Sequence, residues 1–135
     1  MKKILNTAFI YAILGLLAGL YYRQITVSFN FTGKTMLSIL HTHLFVLGML
    51  MFLLVLLFEK SFSLSSSDLF NWFYYIYNIG LIITVVVMGV HGTLTVMGVT
   101  TGAAIAGIAG IGHIILSIGF ILFFLCLKDR VKAEK

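Results

Sequence analysis

Residues 35–58 read TMLSILHTHLFVLGMLMFLLVLLF, a stretch with no Asp, Glu, Lys or Arg. An apolar run of about eighteen residues or more is long enough to cross a bilayer as an α-helix. A membrane β-strand would instead alternate apolar and polar positions over about ten residues. Lipid offers the backbone no hydrogen bonds, so a lone run of this kind spans only as a helix that satisfies its own N–H and C=O groups. The chain contains no proline, so no helix is stopped by a missing backbone donor.

Working outward, three more runs of the same kind occupy about 4–22, 69–96 and 103–127, and none contains an Asp, Glu, Lys or Arg. The links are 23–34, 59–68 and a tight turn near 98–102, short enough to make consecutive helices antiparallel neighbours. The expected fold is a single all-α membrane domain over 1–135, an antiparallel bundle of four transmembrane helices. Composition agrees: 61% of the residues are apolar and 10% charged, whereas a soluble domain carries about a quarter charged.

The net charge of +5 sits at the chain ends and in the links, which marks membrane topology rather than nucleic-acid binding. With the N-terminus cytoplasmic, the inside holds Lys2, Lys3, Lys60, Lys128, Arg130, Lys132 and Lys135, and the outside only Arg23 and Lys34. This bias predicts a multi-pass cell-membrane protein with both termini cytoplasmic. Tyr21 and Tyr22 then fall at the outer interface, and Trp72, Tyr74 and Tyr75 at the inner one. Met1-Lys2-Lys3 ahead of an apolar run resembles a signal peptide. No small-residue cleavage site ends the run, which is read as a retained first span. The single cysteine, Cys126, excludes an intramolecular disulfide and any cysteine-based zinc or iron–sulfur site.

Small residues mark where helices approach closely in lipid. Span one carries Ala8, Ala12, Gly15 and Gly19, and span four Ala103, Ala106, Gly107, Ala109, Gly110 and Gly112. These faces serve packing within the bundle, packing between subunits, or room for a flat cofactor beside span four.

The histidines carry the chemistry: His41 and His43 on span two, His91 on span three and His113 on span four. Uncompensated polar side chains are expensive at this depth and point to function. At the helical rise, His43 lies about 12 Å, His91 about 8 Å and His113 about 15 Å from the outer ends of their spans. All four therefore fall in the outer half. Residues two apart on a helix differ by about 200°, so His41 and His43 point to opposite faces and serve two sites rather than one ion. Gly48, seven residues after His41, is expected to clear space below that imidazole. Zinc wants four close ligands, usually including cysteine, and no such set exists. Copper has soft partners in Met49, Met51, Met88 and Met97, although methionines in apolar helices also serve as core filler. A haem needs neutral imidazoles, an apolar slot and small residues, and the bundle has all three. Each histidine also has a plainer role, as an interhelical hydrogen bond or a pore-lining group. For His91, beside Thr93 and Thr95, a merely polar helix end is the simpler reading.

The segments LNTAFIYAILGL (5–16), HTHLFVLGM (41–49) and GIAGIGHIIL (107–116) resemble a family of small four-span bacterial membrane proteins, a likeness that itself supplies no function. The H-x-H pair of 41–43, followed by Val46, Leu47, Gly48 and Met49, also resembles the haem-binding helix of subunit I of the haem-copper oxidases and nitric oxide reductases. Subunit I reads as three four-helix units, each with its second helix facing the centre. The resemblance implies one such unit, assembling as a homotrimer of twelve helices. It implies His43, and with it His41, as haem ligands. The oxidases' copper-ligating histidine pair and cross-linked tyrosine have no counterpart, and no acidic residue lies in the spans, so oxidase activity and proton pumping do not carry over.

The expected function is therefore a membrane protein binding haem b, for electron transfer, haem handling or O₂/NO binding. His43 is the first ligand, and His41 of a neighbour or His113 of the same chain the second. Any enzymatic activity would be a haem-dependent oxidoreduction, with a redox partner the sequence does not name. Two other classes stay open: a small metal-ion transporter or channel with a histidine-lined path, and a structural subunit of a membrane complex.

Overall fold

The computed structural model describes residues 1–133; Lys135, counted above in the charge bias, lies outside the described residues. Four helices are long and apolar enough to cross a membrane: α1 (Lys2–Ser28), α2 (Leu37–Phe62), α3 (Leu69–Val96) and α4 (Ala103–Ala133). The described residues contain no strand. The chain thus has the build of a multi-pass membrane protein. Three helices outrun their expected spans, α2 by running past residue 58 to Phe62. α1 continues beyond residue 22 and α4 beyond 127, so Arg23, Lys128 and Arg130 ride on helix ends rather than in loops.

The helix ends are set by residues that tolerate a left-handed backbone. α3 closes on Gly98 at φ +74, where Val99 N–H donates to Leu94 O and Gly98 N–H to Thr95 O. α1 closes the same way on Asn30 at φ 48, through Phe31 N–H to Thr26 O and Asn30 N–H to Val27 O. This pairing satisfies carbonyls that a helix end leaves open, and Gly and Asn are the residues that adopt it at least strain. Between α2 and α3, the Glu59 carboxylate accepts from Ser65 N–H at 2.7 Å and from Ser65 Oγ at 2.6 Å.

Both described chain ends lie at the end of the bundle that carries this α2–α3 link. The Lys3 ammonium sits 3.8 Å over the Tyr74 ring, Ser67 Oγ donates to Asp129 Oδ2 at 2.8 Å, and Arg130 Nε donates to Phe62 O at 3.2 Å. An aromatic core fills this half of the bundle, with Phe52, Phe73 and Tyr77 fully buried and Phe123 nearly so. Two polar bridges tie α1 to α3 here: Thr7 Oγ1 with Tyr74 Oη at 2.6 Å, and Tyr11 Oη to Asn78 Oδ1 at 2.7 Å. Toward the far end Tyr21 Oη pairs with Thr93 Oγ1 at 2.9 Å.

α3 and α4 pack backbone to backbone. A Cβ on Gly80 would fall 2.4 Å from Leu116 N, one on Gly119 2.7 Å from Tyr77 Cα, and one on Gly112 2.8 Å from Thr84 Oγ1. Such contacts replace the hydrophobic drive that lipid does not provide. They begin only at Gly112. None of residues 103–111 is buried, so the first turns of α4 stand clear of the bundle.

One feature of α2 is not visible in its apolar pattern. Residues Leu44–Leu50, directly after the second histidine, form a π-helix. Wide turns of this kind are rare and are frequently found at functional sites. The Leu47 carbonyl within it accepts a hydrogen bond from Tyr77 Oη at 2.8 Å, which answers the demand for backbone satisfaction in lipid.

Candidate functional site around the histidines

His41 turns toward α1. It lines a shallow groove with Gly15, Gly19 and Phe45, and its ring meets Phe45 edge-on at 6.4 Å. Its Nδ1 is buried without a hydrogen-bond partner. The small residues of α1 admit this packing: a Cβ on Gly15 would fall 2.7 Å from the Phe45 ring, and one on Gly19 3.9 Å from His41 Cβ. The span-one glycines therefore serve the inside of the bundle.

The expected clearing below His41 does not exist. Gly48 is buried, and a Cβ there would fall 2.5 Å from Tyr11 Cγ. The glycine lets the Tyr11 ring lie across the π-helix while its hydroxyl reaches Asn78. A buried tyrosine needs such a partner, and this one consumes the space.

His43 faces away from the core. Its stripe on α2 includes Ile39, Val46 and Leu50, all exposed. His43 Nδ1 lies 3.0 Å from Ile39 O. A carbonyl only accepts, so this contact places the proton on Nδ1 and leaves the Nε2 lone pair free. His113 repeats the arrangement on α4, with Nδ1 2.8 Å from Ala109 O. It is exposed, on a flank of α4 about 100° round from the buried row of Gly112, Leu116 and Gly119. Gly110 lies one turn before it and Gly107 one turn before that, and an added Cβ at either would meet nothing within 4 Å. Span four thus splits its small residues: Gly112 and Gly119 serve internal packing, and Gly107 and Gly110 leave a bare outer face.

An imidazole whose Nδ1–H is held by a backbone carbonyl is the usual metal-ligating form, with tautomer and ring orientation fixed from behind. His43 and His113 meet that condition, whereas His41 does not. The bare glycine face beside His113 suits a flat macrocycle. Taken singly, His43 and His113 offer the kind of nitrogen donor that a haem iron accepts. The structure gives the three nominated histidines separate surroundings: the α1–α2 groove, the outer stripe of α2 and the outer face of α4. Among the described residues no group of three His, Cys, Asp or Glu could hold a metal ion.

The fourth histidine lies elsewhere. His91 lines a cavity of about 400 Å³ between α3, the clear-standing start of α4 and the approach to α2. Met36, Met88 and Ala109 line it too. The signal in the sequence was the Met88-x-x-His91 spacing, which places both side chains on one helix face.

No curated protein and no solved structure matches this chain. A family model described as "Protein of unknown function (DUF2871)" matches residues 1–130. The match covers nearly the whole chain, all four apolar helices included, and the chain belongs to the DUF2871 family.

Proposed function

We propose that this protein binds haem b in the membrane, with Nε2 of His43 of one subunit and Nε2 of His113 of a neighbouring subunit as the donors, since one chain holds the two on separate faces. The observation that carries the reading is the pair of imidazoles with Nδ1 tied to a backbone carbonyl and Nε2 free on uncovered faces. Two such groups left facing lipid would be unfavourable, so each calls for an occupant. Bound haem supplies one-electron chemistry, or O₂ and NO binding where one axial position stays open. The chain's own part is to orient the imidazoles and to offer a porphyrin the apolar surface of Ile39 and Val46 on α2 and the bare face at Gly110 on α4. His41, with its Nδ1 buried against α1, is the less ready ligand.

The site is placed in the outer half of the membrane, with both termini cytoplasmic, on the bias of Lys and Arg toward the termini end. A homotrimer around the α2 helices supplies the missing cover, and the bare face of Gly107 and Gly110 supports an occupant beyond the single bundle. The likeness of the H-x-H stretch to the haem-copper oxidases supports the same arrangement.

The test is the reduced-minus-oxidised spectrum of protein purified in detergent. Sharp α and β bands are expected, with most haem lost in His43→Ala and in His113→Ala and retained in His91→Ala. Native mass spectrometry should show a trimer with up to three haems. A protein that stays colourless after haem reconstitution overturns the reading, and a haem-loaded monomer overturns the trimer.

A further inference from the structure

The cavity beside His91 lies apart from the proposed haem ligands and has its own donor set. Met88 and His91 stand three residues apart on α3, which brings a thioether and an imidazole together on one face. Met36 joins them from the approach to α2 because its neighbour is clamped in place. Thr35 Oγ1 donates to Gly92 O at 2.8 Å, and this bond is buried. Gly92 permits the approach, since a Cβ there would fall 2.7 Å from Leu37 N. Thr35 and Gly92 are the chain neighbours of Met36 and His91, and both of those side chains line this cavity. His91 and Met36 also line a cleft with Lys34, Thr35 and Thr95 at the end of the bundle, which gives this corner an aqueous margin.

Two thioethers and one imidazole form a soft, neutral ligand set. Thioethers select Cu(I) among biological metals, and imidazole is compatible with it. No carboxylate or thiolate lines the cavity, so a divalent ion would keep its full charge in a largely apolar corner. A monovalent ion is the less expensive guest, because desolvation penalises charge steeply. We infer that Met36, Met88 and His91 form a binding site for Cu(I). This site does not rest on the haem reading and shares no residue with it.

The experiment titrates full-length protein in detergent with Cu(I) alone, anaerobically under ascorbate, against bicinchoninate as competitor. One Cu(I) per chain is expected, with sulfur and nitrogen scatterers in X-ray absorption. Met36→Leu and Met88→Leu should each weaken binding by at least about 100-fold, since losing a ligand costs no less than losing an outer-shell partner. His43→Ala/His113→Ala should bind Cu(I) as the wild type does, even if it has lost haem. Met36 is 44% exposed, so Met36→Leu leaves the fold intact and keeps the test decisive if Met88→Leu unfolds. Absence of Cu(I) binding, or unchanged affinity in Met36→Leu, overturns the site.

Discussion

Replacing Gly80 by alanine puts one methyl group into the tightest helix contact of the bundle. Its Cβ would fall 2.4 Å from Leu116 N and 2.7 Å from Leu116 Cα. Ordinary contact begins at 3.4 Å, so the backbones must part by 3.4 − 2.4 = 1.0 Å. The obstructing atoms are backbone, so no side-chain rotation relieves the clash. Parting the helices also loosens the contacts at Gly112 and Gly119. Overpacking of this kind costs typically 1–3 kcal/mol, and backbone against backbone belongs at about 3. Alanine returns about 1 kcal/mol through its better helix propensity. The net loss of about 2 kcal/mol is roughly a 30-fold shift in the folding equilibrium. Gly110→Ala is the matched control, since its Cβ meets nothing within 4 Å in a single bundle and only the propensity gain remains. Unfolding by SDS in mixed micelles, followed by Trp72 fluorescence and helical circular dichroism, measures both. Equal stability of Gly80→Ala and Gly110→Ala would refute the glycine-mediated α3–α4 contact.

Tyr11→Phe removes the bridge to Asn78 but keeps the ring against Gly48; the same unfolding assay should show a loss of about 0.6 kcal/mol, the average for interhelical bonds in lipid. For topology, Ser28→Cys combined with Cys126→Ser should react with an impermeant maleimide in intact cells, because Ser28 ends α1 at the end opposite the termini. Reaction only after lysis would invert the orientation.

The four helices were legible in the sequence because each satisfies its backbone internally and advertises itself by apolar length alone. The links were overestimated: charged residues such as Arg23 and Lys128 end an apolar run without ending a helix. The glycines divided less legibly. Gly15, Gly48, Gly80 and Gly110 look alike in sequence. The structure sets the first three against Phe45, Tyr11 and Leu116, and leaves the fourth open. What opposes a glycine belongs to another helix, and local spacing does not encode it.

The histidines show the same division. Spacing alone gave the opposed directions expected of His41 and His43, because 100° per residue is a property of the helix itself. Spacing did not foresee the π-helix that begins at Leu44, nor the Tyr11 ring that fills the space beside Gly48. It also set His91 aside as a polar helix end. The structure gives His91 a cavity because α4 joins the bundle only from Gly112 onward, and Met36 lines that cavity with it. The sequence by itself determined membrane residence, helix number and the donor inventory, since these depend on chain-local length, polarity and residue type. Which donors are buried, which are free and which share a cavity was decided by tertiary structure, since each depends on where a second helix makes or leaves a contact.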